Sequence, residues 1–233
     1  MKTASARKQR APANYQRRIL IVDDHPLFRK GIMMLMEHEP DILICGEAET
    51  AVEALGLVEQ LELDLVIADI SLKDTNGIEL VKSLRALRPE LPVLVLSMHD
   101  ESLYAERALR AGARGYLMKQ APPDQVVTAI RQVLRGELYL SAAANLLMLN
   151  TFVSGRDNTG KSSVEKLSDR ELEIFELLGK GRGTSMIAHD LHLSIKTIEA
   201  HRSHIKTKLG LSTAPELVRA AVEWVTQRST KGR

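Results

Sequence analysis

Short apolar runs recur through the first half of the chain: Ile19–Val22, Ile42–Gly46, Leu65–Ala68, Val93–Leu96 and Gly115–Leu117. Between them, apolar residues fall at helical spacing near Pro26–Glu37, Thr50–Gln60, Gly77–Ala86, Glu101–Ala111 and Pro123–Leu134. Strands alternating with helices of this length predict βαβ units and a parallel sheet. The expected fold is α/β, a flavodoxin-like doubly wound five-stranded parallel sheet in the order 2-1-3-4-5. Gly112 is placed to end the fourth helix, and Pro122-Pro123 to open the fifth.

The alternation stops at Gly136. Residues 137–166 hold an apolar stretch, Ala142–Leu149, and then the small polar run Ser154–Ser163, which predicts a flexible linker. Gly155 to Ser162 spell a phosphate-loop pattern, but no strand leads in and no amphipathic helix follows, so no nucleotide site is expected. From Leu167 the pattern is all-helical. Ser168-Asp169-Arg170-Glu171 forms a capping box. A helix to about Leu178 is followed by a glycine-marked turn and a short helix, Thr184–Leu191. His192-Leu193 make a tight connection, and Ser194 caps a longer helix that stops at Gly210. A last helix covers Ala214–Gln227. This four-helix order is the helix-turn-helix plan. The chain thus divides into a basic arm (1–17), an α/β domain (18–136), a linker (137–166) and an all-α domain (167–228).

Composition excludes several classes. Cys45 is the only cysteine, so no internal disulfide forms, in keeping with a reducing compartment. No run is long enough to span a membrane; a soluble, cytoplasmic protein is expected. The net charge of +2 hides an asymmetry. Met1 to Arg18 carry six basic residues and no acid, Ile19 to Glu137 carry 12 basic and 20 acidic, and the remainder 14 basic and 10 acidic. The contrast suggests separate tasks, with the acidic α/β domain docking on the basic helical domain and masking it.

Ligands of an open parallel sheet collect at the carboxyl ends of its strands. Asp23 and Asp24 end the first run, Asp69 the third, Ser97 the fourth, and Lys119 follows the fifth. Three converging carboxylates need a cation, and Mg²⁺ suits an oxygen set that also meets phosphate. A carboxylate can form an aspartyl phosphate, Lys119 can offset charge on the transferring group, and Ser97 can donate to a phosphate oxygen.

These residues, Val22-Asp23-Asp24-His25, Asp69 with Gly77, Leu96-Ser97 and Gly115-Tyr116-Leu117-Met118-Lys119, resemble a response-regulator receiver domain. The resemblance implies that Asp69 receives a phosphoryl group from a sensor histidine kinase. It implies that Asp23, Asp24 and Asp69 hold Mg²⁺ with the Ser71 carbonyl, and that Ser97 and Tyr116 form a switch pair. Ser71-Leu72-Lys73 and Gln120 depart from the common pattern.

On the helix Ser194–Leu209, Ile198, Ile205 and Leu209 share one face. The opposite face holds Lys196, Glu199, Ala200, Ser203 and Thr207, flanked by Thr197, His204, Lys206 and Lys208. Small residues permit close approach to a major groove, and basic flanks can grip phosphates. The segment Leu167–Trp224 resembles the LuxR-type helix-turn-helix, so the chain resembles a NarL/FixJ-class response regulator. That implies a DNA-binding transcription regulator, not an enzyme, which pairs as a homodimer on promoter DNA through Ala214–Val225. Gly183-Thr184-Ser185-Met186 departs from the family's usual residues before Ile187. His25, His99, His192 and His201 show no metal-ligand spacing. A phosphatase working through an aspartyl phosphate would want a second acid at position 71, where Ser71 stands. A phosphorylation-independent interaction module would not need the complete set of acids, hydroxyl and lysine.

Overall fold

The computed structural model describes residues 16–153 and 163–231. The strands are β1 (Arg17–Val22), β2 (Ile42–Ala48), β3 (Leu65–Ala68), β4 (Val93–Ser97) and β5 (Gly115–Met118). They form one parallel sheet in the order β2-β1-β3-β4-β5, as expected. Helices α1 (Pro26–Met36), α2 (Ala51–Gln60), α3 (Gly77–Leu87), α4 (Glu101–Ala111) and α5 (Pro123–Leu134) cover its two faces.

Side chains alternate across the sheet with a period of two. Leu20, Val22, Val66, Ala68, Val93 and Val95 pack with Ala54, Val58, Leu80, Leu84 and Ala108 of α2–α4. Ile19, Ile21, Leu65, Ile67, Leu94 and Leu96 pack with Ile32 and Met36 of α1 and Val126 and Ile130 of α5. Each fully buried Leu, Ile or Val contributes roughly 1.5–3 kcal/mol. Strands apolar on both faces therefore hold the register Ile19↔Leu65 to Val22↔Ala68, which sets the ends of β1 and β3 side by side. Thr50, Asn76 and Asp100 cap α2, α3 and α4, and Gly112 (φ 119°) ends α4 in the left-handed region.

The apolar part of the expected linker, for which no element was predicted, is helical. Ala142–Val153 forms a helix, α6, whose Ala144 is buried. Ala and Leu are strong helix formers, and Ser141 anchors the start, accepting from the Ala144 amide and donating to Glu101 Oε1 at 2.7 Å. Before it, Tyr139 lies along β5: its amide donates to the Arg114 carbonyl and its own carbonyl accepts from Tyr116. The polar run at 154–162 lies outside the described residues, as do residues 1–15 of the basic arm.

The C-terminal domain holds α7 (Asp169–Gly179), α8 (Thr184–Asp190), α9 (Ile195–Leu209) and α10 (Ala214–Lys231), after a 3-10 turn at Ser163–Lys166. Both halves of the Ser168–Glu171 capping box form, and Gly210 ends α9 at φ 69°. Leu172, Phe175, Ile187, Ile198, Ile205, Leu217 and Ala221 are buried in its core. α7 and α10 cross closely at Gly179, where a Cβ would lie 2.4 Å from the Ala221 carbonyl oxygen.

Gly77 has the tightest fit to the candidate site. Its amide donates to the Ile70 carbonyl at 2.6 Å, and an added Cβ would meet the Asp69 carbonyl oxygen at 1.8 Å. No side chain fits unless the backbone carrying Asp69 moves. Gly77→Ala is expected to destabilise the α/β domain by about 3 kcal/mol, read as a lower urea midpoint. An unchanged midpoint would contradict this packing.

Candidate functional site

The polar residues predicted at the strand ends converge. The Asp69 amide donates to the Val22 carbonyl at 2.9 Å and the Lys119 amide to the Ser97 carbonyl at 2.9 Å, so the loops continue the sheet register. Lys119 Nζ lies 2.6 Å from both Asp23 Oδ2 and Asp69 Oδ2, over the Phe28 ring at 4.5 Å. Asp69 Oδ1 accepts from the Ile70 amide at 2.7 Å and Asp23 Oδ1 from the His25 amide at 2.9 Å. Burial pushes the Asp69 carboxyl above its usual range; Lys119 pulls it back and Asp23 pushes it up further.

Asp23, Asp24, His25 and Asp69 bring four ligand atoms together. Asp24 Oδ1 is buried without a hydrogen bond; His25 Nδ1 is 2.6 Å away but not aligned as a donor. A buried carboxylate oxygen without a donor is what a hard cation would satisfy, so this oxygen-rich set fits a metal ion.

Ser97 and Tyr116 are fully buried beside the pocket. The His99 amide donates to Ser97 Oγ at 3.2 Å, and the Tyr116 hydroxyl donates to the His99 carbonyl at 2.8 Å. Burial raises the Tyr116 pKa well above its ordinary value, so the phenol stays protonated.

On α9, Lys196, Glu199, Ala200, Ser203, His204 and Thr207 are exposed, Thr197 and Lys206 are half-buried, and Ile198 and Ile205 are buried. The outward face is the predicted one. Glu199 is already engaged, accepting from Thr184 Oγ1 at 3.2 Å and Arg202 Nη1 at 3.1 Å. His192, at φ 52°, forms the turn before α9.

The two domains meet through α7. Asp169 accepts from Arg107 at 2.9 Å and Lys82 at 3.3 Å. Glu173 Oε1 accepts from Ser71 Oγ at 3.1 Å, and Oε2 accepts from Asn76 Nδ2 at 3.2 Å and Arg170 at 2.8 Å. His99 lies between two acids, with Nε2 3.5 Å from Glu173 Oε1 and Nδ1 3.4 Å from Glu176 Oε2. Glu176 Oε2 also accepts from the Tyr104 hydroxyl at 3.3 Å. Burial opposes charge on His99, but both acids outweigh it and raise its pKa to about 9; burial likewise opposes charge on Glu176, yet His99 and Lys180 hold it down at about 2.

This interface corrects the docking expectation. The receiving surface supplies the cations Lys82, His99 and Arg107, and α7 supplies the acids, opposite to the net charges of the domains. The outward face of α9 is open to solvent; only its leading end approaches the other domain, where His192 Nε2 is 3.9 Å from Asp24 Oδ2.

Residues 19–131 match the family model for the response regulator receiver domain, and 165–221 the model for bacterial regulatory proteins of the luxR family. The oxygen regulatory protein NreC of Staphylococcus aureus is 37% identical over 210 residues, covering 88% of this chain and 97% of that protein. The chain belongs to the LuxR-type response regulators. Among solved structures, RcsB of Salmonella enterica serovar Typhimurium bound to a promoter with the phosphomimetic BeF3⁻ is 25% identical, with a TM-score of 0.59, covering 88% of this chain and 98% of that one. A LuxR-family regulator from Aurantimonas is 33% identical over 59% of this chain and 99% of that one, with a TM-score of 0.56.

Sequence reasoning on this response regulator missed the histidines. His25 joins the acid cluster, and its place directly after two aspartates was a usable signal. His201 and His204 approach Glu171 closely enough to share a cation. There, Lys208 Nζ is 2.6 Å from Glu171 Oε2, and Arg170 adds positive charge near His201, so the surroundings disfavour a metal. The contacts of His99, Glu173 and Glu176 had no signal in sequence, because nothing in either domain's pattern names the other's surface.

Lys119 is the only group bonded to both Asp23 and Asp69 among the described residues. Breaking a buried pair costs about 3–5 kcal/mol. Lys119→Met is expected to lower stability by about 3 kcal/mol at pH 7 without divalent ions. The sign follows from Asp69: its folded pKa lies above the unfolded one, so the penalty for ionising it sets in above the unfolded value and grows as pH rises. The loss at pH 5 is therefore smaller than at pH 7. Equal losses at both values in urea titrations would contradict the pairing.

Proposed function

We propose that Asp69 accepts a phosphoryl group from the phosphohistidine of a sensor histidine kinase, and that this event controls binding of promoter DNA through α9. The observation that carries the reading is the shared Lys119 bridge to Asp23 and Asp69 at one sheet edge, with Ser97 on the next strand. An Asp69 oxygen attacks phosphorus, a P–O bond forms, and the P–N bond to the kinase imidazole breaks with its electron pair leaving on nitrogen. Asp23, Asp24, Asp69 and the Ser71 carbonyl would hold Mg²⁺, which offsets negative charge on the transferring group when bound. Lys119 is poised to leave its carboxylate partners for a phosphoryl oxygen. Ser97 can turn its hydroxyl to another, and the Tyr116 ring can follow into the space vacated.

In the C-terminal domain, Ala200 and Ser203 allow α9 to approach base edges in the major groove, with Lys196, Thr197, Glu199, His204 and Thr207 around them. Lys196 and Lys206 are placed to meet phosphates. Val218 and Val222, 38% and 41% exposed on α10, offer an apolar strip for pairing two copies on half-sites about one DNA turn apart. A regulator of this kind works in the cytoplasm, and no described helix is long and apolar enough to cross a membrane.

Asp69→Asn is expected to abolish labelling by acetyl phosphate, and chelating Mg²⁺ to suppress it in the wild type; labelling of the variant at the wild-type rate would overturn the acceptor assignment. Lys196→Ala and Lys206→Ala should each weaken binding to all DNA sequences about equally and reduce the salt slope by roughly one. An unchanged slope removes that side chain from the phosphate contacts.

A further inference from the structure

We propose that His99 is the positioning residue through which the acceptor pocket holds or releases the DNA-binding domain. The proposal rests on Asp69 being the acceptor and adds the route by which the signal leaves the pocket.

The backbone of His99 is held by the two switch residues. Its amide donates to Ser97 Oγ, and its carbonyl accepts from the Tyr116 hydroxyl. Its ring faces the other domain and lies between Glu173 and Glu176 of α7, 3.5 and 3.4 Å away. One loop residue therefore joins both switch side chains to two buried acids on the helix that docks the domains. The Tyr104 ring packs against the imidazole with centroids 4.6 Å apart, and its hydroxyl donates to the same Glu176 oxygen. The ring thus has a fixed seat.

Both bonds to His99 depend on where the two switch side chains sit. When Ser97 Oγ turns to a phosphoryl oxygen, the His99 amide loses its acceptor. When the Tyr116 ring follows, the His99 carbonyl loses its donor. The β4–α4 loop is then free to carry the imidazole away from α7. Glu173 and Glu176, 1% and 5% exposed, would lose the cation they share with the other domain and keep only Arg170 and Lys180 from their own, so the contact that holds α7 to the loop is gone. Release also removes the acidic mouth of the receiver from the leading end of α9, where Asp24 stands 3.9 Å from His192 and would face incoming DNA phosphates.

The test measures DNA affinity in low salt with wild type, His99→Ala, and the paired variant Glu173→Gln/Glu176→Gln, each with and without beryllofluoride and Mg²⁺. The acids lie outside the acceptor pocket, so their variant should still be labelled by acetyl phosphate, at least as readily as the wild type because the coupling is reciprocal. Without beryllofluoride, both variants should bind DNA about tenfold tighter than the wild type, and beryllofluoride should then add less than about twofold. Combining all three substitutions should add nothing beyond His99→Ala alone, because the ring and the acids act as one contact. A global loss of packing would not produce that non-additivity. The proposal is overturned if His99→Ala needs beryllofluoride as much as the wild type, or if the effects of the two sides simply add. Failure of acetyl phosphate to label the wild type at Asp69 would refute the acceptor reading; tighter binding by the unphosphorylated variants would still support the His99–α7 contact.

Discussion

Everything downstream depends on two buried carboxylates sharing one ammonium group. Asp23 and Asp69 are 2% and 3% exposed, at the ends of adjacent parallel strands, and Lys119 is bonded to both. Like charges this close are tolerated only with a cation between them. The site is therefore held under electrostatic tension, and a phosphoryl group with a divalent ion can rearrange it by offering Lys119, Ser97 and the third acid, Asp24, new partners. The sheet supplies the rigidity: strands apolar on both faces cannot slip register without exposing one face, so the acids are fixed relative to one another.

The pocket's second property is its connection. Ser97 and Tyr116, buried on the two strands that follow β3 in the sheet, grip the backbone of His99. His99 in turn is set among α7 acids. The domains meet through charged pairs, Asp169 with Lys82 and Arg107, and Glu173 and Glu176 with His99, beside buried apolar residues of both domains that form one cluster. An interface of buried charges is sensitive to the loss of one partner. That makes it a suitable element for a two-state response, because a small change in one loop has a large consequence for docking.

The α/β fold was legible almost residue by residue, since uninterrupted apolar runs and helical spacing carry the period of each element. The convergence of Asp23, Asp69 and Lys119 was legible because topology places strand ends together. The outward face of α9 was legible from helical periodicity. What was not legible depends on surfaces meeting. Glu173 and Glu176 are buried where α7 meets His99, and nothing in the helix's own pattern names that partner. Net domain charge pointed the wrong way, because a local patch of Lys82, His99 and Arg107 decides the contact within an acidic domain. The helix at Ala142–Val153 was missed because the polar residues after it dominated the reading of the segment.

The proposed switch requires that loading the pocket at Asp69 undocks α7. Amide hydrogen exchange across Asp169–Gly179 measures this directly, in the full chain with Mg²⁺, before and after beryllofluoride. Faster exchange is expected along α7 and in the β4–α4 loop around His99, with the sheet amides of β1, β3 and β4 unchanged. Slower exchange at the pocket with α7 protected as before would show that the pocket can be filled without releasing the DNA-binding domain, and would contradict it.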